Sequence, residues 1–255
     1  MILTDTHTHI YYETDKTKLA EQLNKCLASG ISKLFLPNVD ISSISLVLEL
    51  SKSYPENCFP MLGLHPCDVK ENFEEELSVI REAINQNKIY AIGEIGIDLY
   101  WDKSLLKQQQ IAFEQQILWA KSLELPIVIH CRDAFDEVFE ILESQKDDKL
   151  RGILHCFTGN LDQAKKAIEL GFYLGIGGVV TYKKSGLDTI VNQIDLKHLV
   201  LETDAPYLAP VPHRGKPNES SFLIHIAQKI AEIKGVSLGE VAEITTDNAI
   251  KIFGV

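Results

Sequence analysis

The chain opens Leu3-Thr4-Asp5-Thr6-His7-Thr8-His9, a short β-branched run that ends in two histidines one residue apart. Side chains alternate along a strand with a period of two, so His7 and His9 project from the same face. Two imidazoles on one face of a strand end can grip a metal ion; an ordinary surface strand end is the other reading. The choice depends on whether other strands supply matching ligands, and on how those strands are arranged.

Apolar, strand-like runs recur at residues 2–6, 33–37, 59–64, 89–93, 126–130, 152–155, 172–176 and 199–203. Segments of helical period lie between them. Residues 16–29 set Leu19, Leu23 and Leu27 on one stripe and stop at Gly30. Residues 42–53 follow an Asp40-Ile41-Ser42 capping signal, and 73–87 carry Glu74, Glu75 and Glu76 in the first turn, where the helix dipole favours anions. Helical patterns at 104–123, 134–144, 161–170, 187–194, 221–234 and 237–253 complete the alternation. Strict strand–helix alternation predicts a parallel sheet, and eight units are the count of a TIM-type (β/α)8 barrel. A doubly wound open sheet is the alternative. No linker, low-complexity tract or composition shift interrupts the pattern, so residues 1–255 read as a single α/β barrel domain.

Composition narrows the functional classes. With 45% apolar and 24% charged residues, the chain has the balance of a soluble globular protein. Its apolar runs are far short of the ~20 residues that span a bilayer. The N-terminus lacks a secretory leader pattern, so a cytoplasmic location is expected, with no membrane association. Five scattered cysteines without a CxxC pair argue against a disulfide framework or a cysteine-ligated zinc site. A net charge of −11 argues against the broad basic surface of a non-specific DNA binder, but not against local phosphate chemistry.

Barrel active sites sit where the strands end. The first strand runs into His7 and His9, the fourth into Gly93-Glu94-Ile95-Gly96-Ile97-Asp98, and the fifth into His130-Cys131-Arg132. The sixth runs into His155-Cys156-Phe157-Thr158-Gly159 and the eighth into Glu202-Thr203-Asp204. Histidine and carboxylate are ligands for zinc, manganese, iron or magnesium. Six ligands exceed what one catalytic ion needs, so a binuclear centre is expected at the C-terminal rim. His7, His9 and Asp204 are assigned to the first ion, His130 and His155 to the second, with Glu94 bridging. Two divalent ions (Mg2+, Mn2+ or Zn2+) are the implied cofactors.

The other histidines divide differently. His198 precedes the eighth strand at the opposite rim, and His225 lies mid-helix among apolar residues, so both read as structural. His213, in the loop after the eighth strand, is a candidate to reach a substrate. Cys131 and Cys156 read as buried small residues rather than thiolates.

The ligand order resembles the amidohydrolase superfamily of metal-dependent barrels. The local motifs are narrower: Thr6-His7-Thr8-His9, Gly63-Leu64-His65-Pro66, Gly93 to Asp98, His130-Cys131-Arg132, His155 to Gly159 and Glu202-Thr203-Asp204-Ala205-Pro206-Tyr207-Leu208. Together they resemble the TatD family of metal-dependent deoxyribonucleases, nearly end to end. The resemblance implies metal ligation by His7, His9, Glu94, His130, His155 and Asp204, and 3′–5′ exonuclease-type activity. One departure is visible: the family often reads Arg-Gly-Lys-Arg-Asn-Glu-Pro where this chain has Arg214-Gly215-Lys216-Pro217-Asn218-Glu219-Ser220, one basic residue fewer.

On this reading Asp204 is the general base, and His65 hydrogen-bonds the phosphate or the leaving oxygen. Arg132 binds phosphate rather than pairing with Asp133 or Asp136, with Arg214 and Lys216 as weaker phosphate contacts. Glu202 orients a ligand histidine, and Tyr100, Trp101, Phe157 and Tyr207 are candidates to stack bases. The expected partner is DNA, single-stranded or at ends, with no obligate protein partner. The competing functions are hydrolysis of a small amide, ester or lactone, hydrolysis of an aminoacyl-tRNA ester, and metal binding without catalysis.

Overall fold

The computed structural model describes all of residues 1–255. Eight parallel strands pair in chain order: β1 (Leu3–Asp5), β2 (Ile31–Pro37), β3 (Cys58–Leu62), β4 (Ala91–Asp98), β5 (Ile127–Arg132), β6 (Gly152–Leu154), β7 (Phe172–Ile176) and β8 (Leu199–Leu201). No reversal of strand order occurs, which sets aside the doubly wound alternative. β1 and β8 share no ladder. Their seam is closed by Thr6 N–H donating to the Leu201 carbonyl and Asp204 N–H donating to that of His7, both at 2.9 Å. A lone bridge between Thr8 and Ala205 completes it, giving a nearly closed (β/α)8 barrel.

Helices α1 (Lys16–Ala28), α2 (Ile41–Ser53), α3 (Phe73–Gln86), α4 (Leu106–Leu123), α5 (Phe135–Ser144), α6 (Leu161–Glu169) and α7 (Leu187–Gln193) follow the first seven strands. α8 (Leu223–Lys234) and α9 (Leu238–Phe253) follow the eighth. Their starts are chemically marked. Asp15 accepts from the N–H groups of Thr17 and Lys18, and Asp40 with Ser43 and Asn160 with Gln163 form reciprocal capping boxes. No helix is long and apolar enough to cross a membrane.

Alternation sorts the strand side chains into two sets. Phe35, Phe59, Met61, Ala91, Val128, Ile153 and Val200 form one apolar cluster with Ala249, Ile252 and Phe253 of α9. Their neighbours in the chain, such as Leu34, Leu36, Ile127 and Ile129, pack instead with the surrounding helices. The first set fills the barrel interior, and α9 plugs its N-terminal end, with Phe253 stacked on Phe35 at 3.7 Å. Two residues beyond an interior position, the same face reaches the opposite mouth. Val128 leads to His130, Ile153 to His155 and Val200 to Glu202; Met61 leads through Gly63 to His65.

Candidate metal centre

β4 runs past Gly93, where its apolar run breaks off, to Asp98. Its pairing with β5 shifts register between Ile92 and Ile95, and both of these isoleucines belong to the helix-facing cluster. The irregularity places an extra residue between them and turns Glu94 into the barrel mouth. Glu94 is nearly fully buried there, with histidines on both sides of its carboxylate.

Oε2 of Glu94 lies 3.2 Å from His7 Nε2 and 3.8 Å from His9 Nε2. Oε1 lies 2.8 Å from His155 Nε2, 2.9 Å from His130 Nδ1 and 3.3 Å from His65 Nε2. Asp204, beyond β8, sets Oδ1 3.5 Å from His9 Nε2 and 3.8 Å from His7 Nε2. Three sets have donor atoms within 4.8 Å of one another: His7, His9 and Glu94; His7, His155 and Asp204; His65, Glu94 and His130. His7 thus joins His155 as well as His9, and their rings stack at 3.8 Å. His65, read from the sequence as a substrate contact, stands against the same carboxylate oxygen as His130 and His155.

Several partners hold these rings. Tyr11 donates its hydroxyl hydrogen to the Pro37 carbonyl at 2.6 Å, and the same oxygen lies 2.8 Å from His9 Nδ1. Asp98 Oδ2 lies 2.8 Å from His130 Nε2. Glu202 Oε1 accepts from the Cys156 N–H and lies 3.4 Å from His155 Nδ1. Asp5, the fully buried last residue of β1, accepts from the Thr203 N–H at 2.9 Å and the Thr203 hydroxyl at 2.6 Å. That pairing ties the end of β1, just before His7, to the segment carrying Asp204. Asp98 was within reach of sequence reasoning, because it follows Glu94 by four residues in one strand. Tyr11 was not, because the chain leaves the strand and turns through a 3-10 segment at Ile10–Tyr12.

The electrostatics are those of a cation site. Burial alone raises the pKa of Glu94, but His155, His65 and His7 outweigh it and hold the carboxyl well below its ordinary value. Burial and the neighbouring His155 push His7 down. Burial lowers His155 too, yet Glu94 and Glu202 reverse this and hold it well above the usual imidazole value. Burial raises Asp98 while its hydrogen bond to His130 lowers it, the net being about 2. Not all of these imidazoles can be protonated together, and when neutral their lone pairs converge with two carboxylates. Neutral nitrogen and anionic oxygen in that arrangement suit a divalent ion.

Other candidates fall elsewhere. Arg132 is exposed at the mouth, its guanidinium 3.7 Å over the Tyr100 ring rather than on Asp133 or Asp136. Arg214 lies 4.4 Å over the ring of Tyr182, and Lys216 is exposed. Tyr100, Trp101 and Tyr207 are exposed, but Phe157 is buried in the core and cannot stack a base. His213 is engaged within its own loop region: it lies flat on Phe222 at 3.7 Å, and its Nε2 faces that of His225 at 3.2 Å. His225 therefore has a polar partner rather than purely apolar surroundings. Cys131 and Cys156 are half-buried rather than buried. Burial pushes the Cys131 thiol up to about 12 and Cys156 well above its ordinary value, so both stay neutral.

Comparison with known proteins identifies the family. The family profile described as "TatD related DNase" matches residues 4–254. A Bacillus subtilis protein named an uncharacterized metal-dependent hydrolase is 38% identical over 255 residues, covering 100% of both chains. The Salmonella typhimurium 3′-5′ ssDNA/RNA exonuclease TatD is 34% identical over 237 residues, covering 91% of each. The crystal structure of YjjV, a TatD homolog from Escherichia coli, superposes with a TM-score of 0.93 at 27% identity, covering 99% of this chain and 98% of that one. The family match spans nearly the whole chain, and the protein belongs to the TatD family of metal-dependent hydrolases.

Proposed function

We propose that the protein hydrolyses DNA phosphodiester bonds as a 3′–5′ exonuclease acting on single strands or ends, using two divalent ions. The observation that carries this reading is the position of Glu94, one oxygen toward His7 and His9 and the other toward His130 and His155. His7, His9 and Asp204 would hold one ion and His130 and His155 the other, with Glu94 touching both; Mg2+, Mn2+ and Zn2+ suit this donor set. When bound, such a pair activates water and neutralises charge on the phosphate oxygens.

Asp204 takes the proton of the attacking water. Burial raises its pKa, but the His9 and His155 side chains beside it bring it below the ordinary value, so it is ionised at neutral pH. Its side chain is 14% exposed, which leaves it open to water. His65, 13% exposed beside Glu94, can meet the phosphate or the leaving oxygen. Arg132 offers a forked cation to the phosphate at the rim. Arg214 offers a second, from the loop after β8. The activity named for the Salmonella relative supports the polarity.

The test is cleavage of end-labelled single- and double-stranded DNA and RNA across a metal series, with bis-p-nitrophenyl phosphate compared against an amide and lactone panel. Cleavage that stops in chelator, returns with Mn2+ or Mg2+ and is lost in Asp204→Asn is the expected result. Turnover confined to the amide and lactone panel, or an Asp204→Asn protein as active as its parent, overturns the reading.

A further inference from the structure

We infer that Trp101, backed by Tyr100 and Arg132, is a stacking platform for an unpaired nucleobase at the barrel mouth, an inference that rests on the nuclease reading above. Large aromatic side chains are ordinarily withdrawn from water, yet Trp101 is 71% exposed and Tyr100 53% exposed. They do not sit on a loose loop. Asp98 Oδ1 accepts the N–H of Tyr100 at 2.9 Å and that of Trp101 at 3.3 Å. Gln109 brackets Asp98 in turn, accepting its N–H at 2.9 Å and donating to its carbonyl at 3.2 Å. Leu99 N–H donates to the Arg132 carbonyl at 2.9 Å, pinning the turn to β5.

The other oxygen of the same Asp98 carboxylate lies 2.8 Å from His130. One side chain therefore fixes the aromatic pair and a ring of the metal centre relative to each other. The two aromatic rings meet edge to face at 4.9 Å and 88°, and the Arg132 guanidinium covers Tyr100 at 3.7 Å while lying 5.6 Å from the Trp101 ring. The indole is left open beside a cation. An open aromatic face next to a forked cation suits a base and its phosphate. The protein's charge of −11 sharpens the point, because it offers little long-range attraction to hold a strand at the mouth. Stacking is nearly independent of base identity and requires an unpaired base, so the platform favours single strands and frayed ends without sequence preference.

The experiment uses the full, metal-loaded chain and phosphorothioate-linked strands that resist cleavage. Trp119, half-buried with Arg81 5.5 Å over its ring, is replaced by Phe so that emission comes from Trp101 alone. Oligothymidylate quenches this emission, whereas an abasic strand of equal length does not. With cleavable single-stranded DNA, Trp101→Ala raises KM roughly tenfold or more at little change in kcat, and Trp101→Phe restores most of the loss. Equal quenching by both strands, or an unchanged KM in Trp101→Ala, overturns the platform while cleavage by the parent protein still stands. Failure of the parent to cut any strand overturns the nuclease reading and the platform with it.

Discussion

The hydroxyl oxygen of Tyr11 accepts the Nδ1 hydrogen of His9 and thereby fixes which nitrogen of that ring keeps a lone pair. The tyrosine has a single hydrogen, and it is spent on the Pro37 carbonyl at 2.6 Å. The 2.8 Å contact with His9 must then run from Nδ1–H to the phenolic oxygen. Nε2 is left unprotonated, facing Glu94, Asp204 and His7. Tyr11→Phe removes the acceptor and frees the ring to take the wrong tautomer. Metal affinity is expected to fall about 10- to 100-fold, measured by calorimetric titration with Mn2+ or Zn2+, with the fold unchanged by circular dichroism.

Glu94→Gln keeps the side chain's shape but removes the charge that balances the surrounding imidazoles. Bound metal per chain, counted by elemental analysis after dialysis, is expected to fall to half of the parent's content or less. Hydrolysis is expected to fall by about two orders of magnitude or more. Full metal content in this variant would contradict the bridging role.

Gly96 has φ near +139°, and a Cβ there would meet the His130 carbonyl at 2.0 Å. Gly96→Ala must therefore push β4 and β5 apart at the residue that carries His130. A loss of more than about 2 kcal/mol in urea unfolding is expected, together with weakened metal binding.

His213 and His225 face each other through their Nε2 atoms, and burial with the neighbouring His213 lowers the pKa of His225 from its ordinary 6.5. The folded chain then binds this proton less readily than the unfolded chain. The stabilising contribution is present above pH 6.5 and is lost as pH falls through that value toward the lower, folded one. Melting temperature should fall on acidification through this window. His225→Phe should flatten that dependence, and an unchanged slope in the variant would refute the assignment.

Much of the barrel was legible because its signals are local. Apolar runs gave all eight strands, and the Asp40 capping signal stands where the structure starts α2. The end of β4 was misplaced because Glu94 and Asp98 interrupt the apolar pattern there, although both lie within the strand. Five 3-10 segments of three or four residues escaped notice, since one turn has no period to detect. The candidate ligands could be gathered from strand ends by alternation alone. Their supports could not: Tyr11 reaches Pro37, 26 residues away, and His213 finds His225 only once the loop after β8 folds back. Phe157 looked available for stacking because its neighbours lie at the mouth, while its own ring turns into the core.

The seam between β1 and β8 gives the ligand cluster a further meaning. His7 and His9 come from the first turns of the chain, Asp204 comes from beyond its last strand, and no strand ladder joins the two sides. A cation held among these three side chains would rivet the barrel shut at its weakest line. Only the closed protein offers such a cage, so each bound ion draws the equilibrium toward closure. Metal removal should therefore show first as faster amide exchange at Thr6, His9 and Asp204, whose N–H groups bond across the seam, while the ladders from β2 to β7 stay protected.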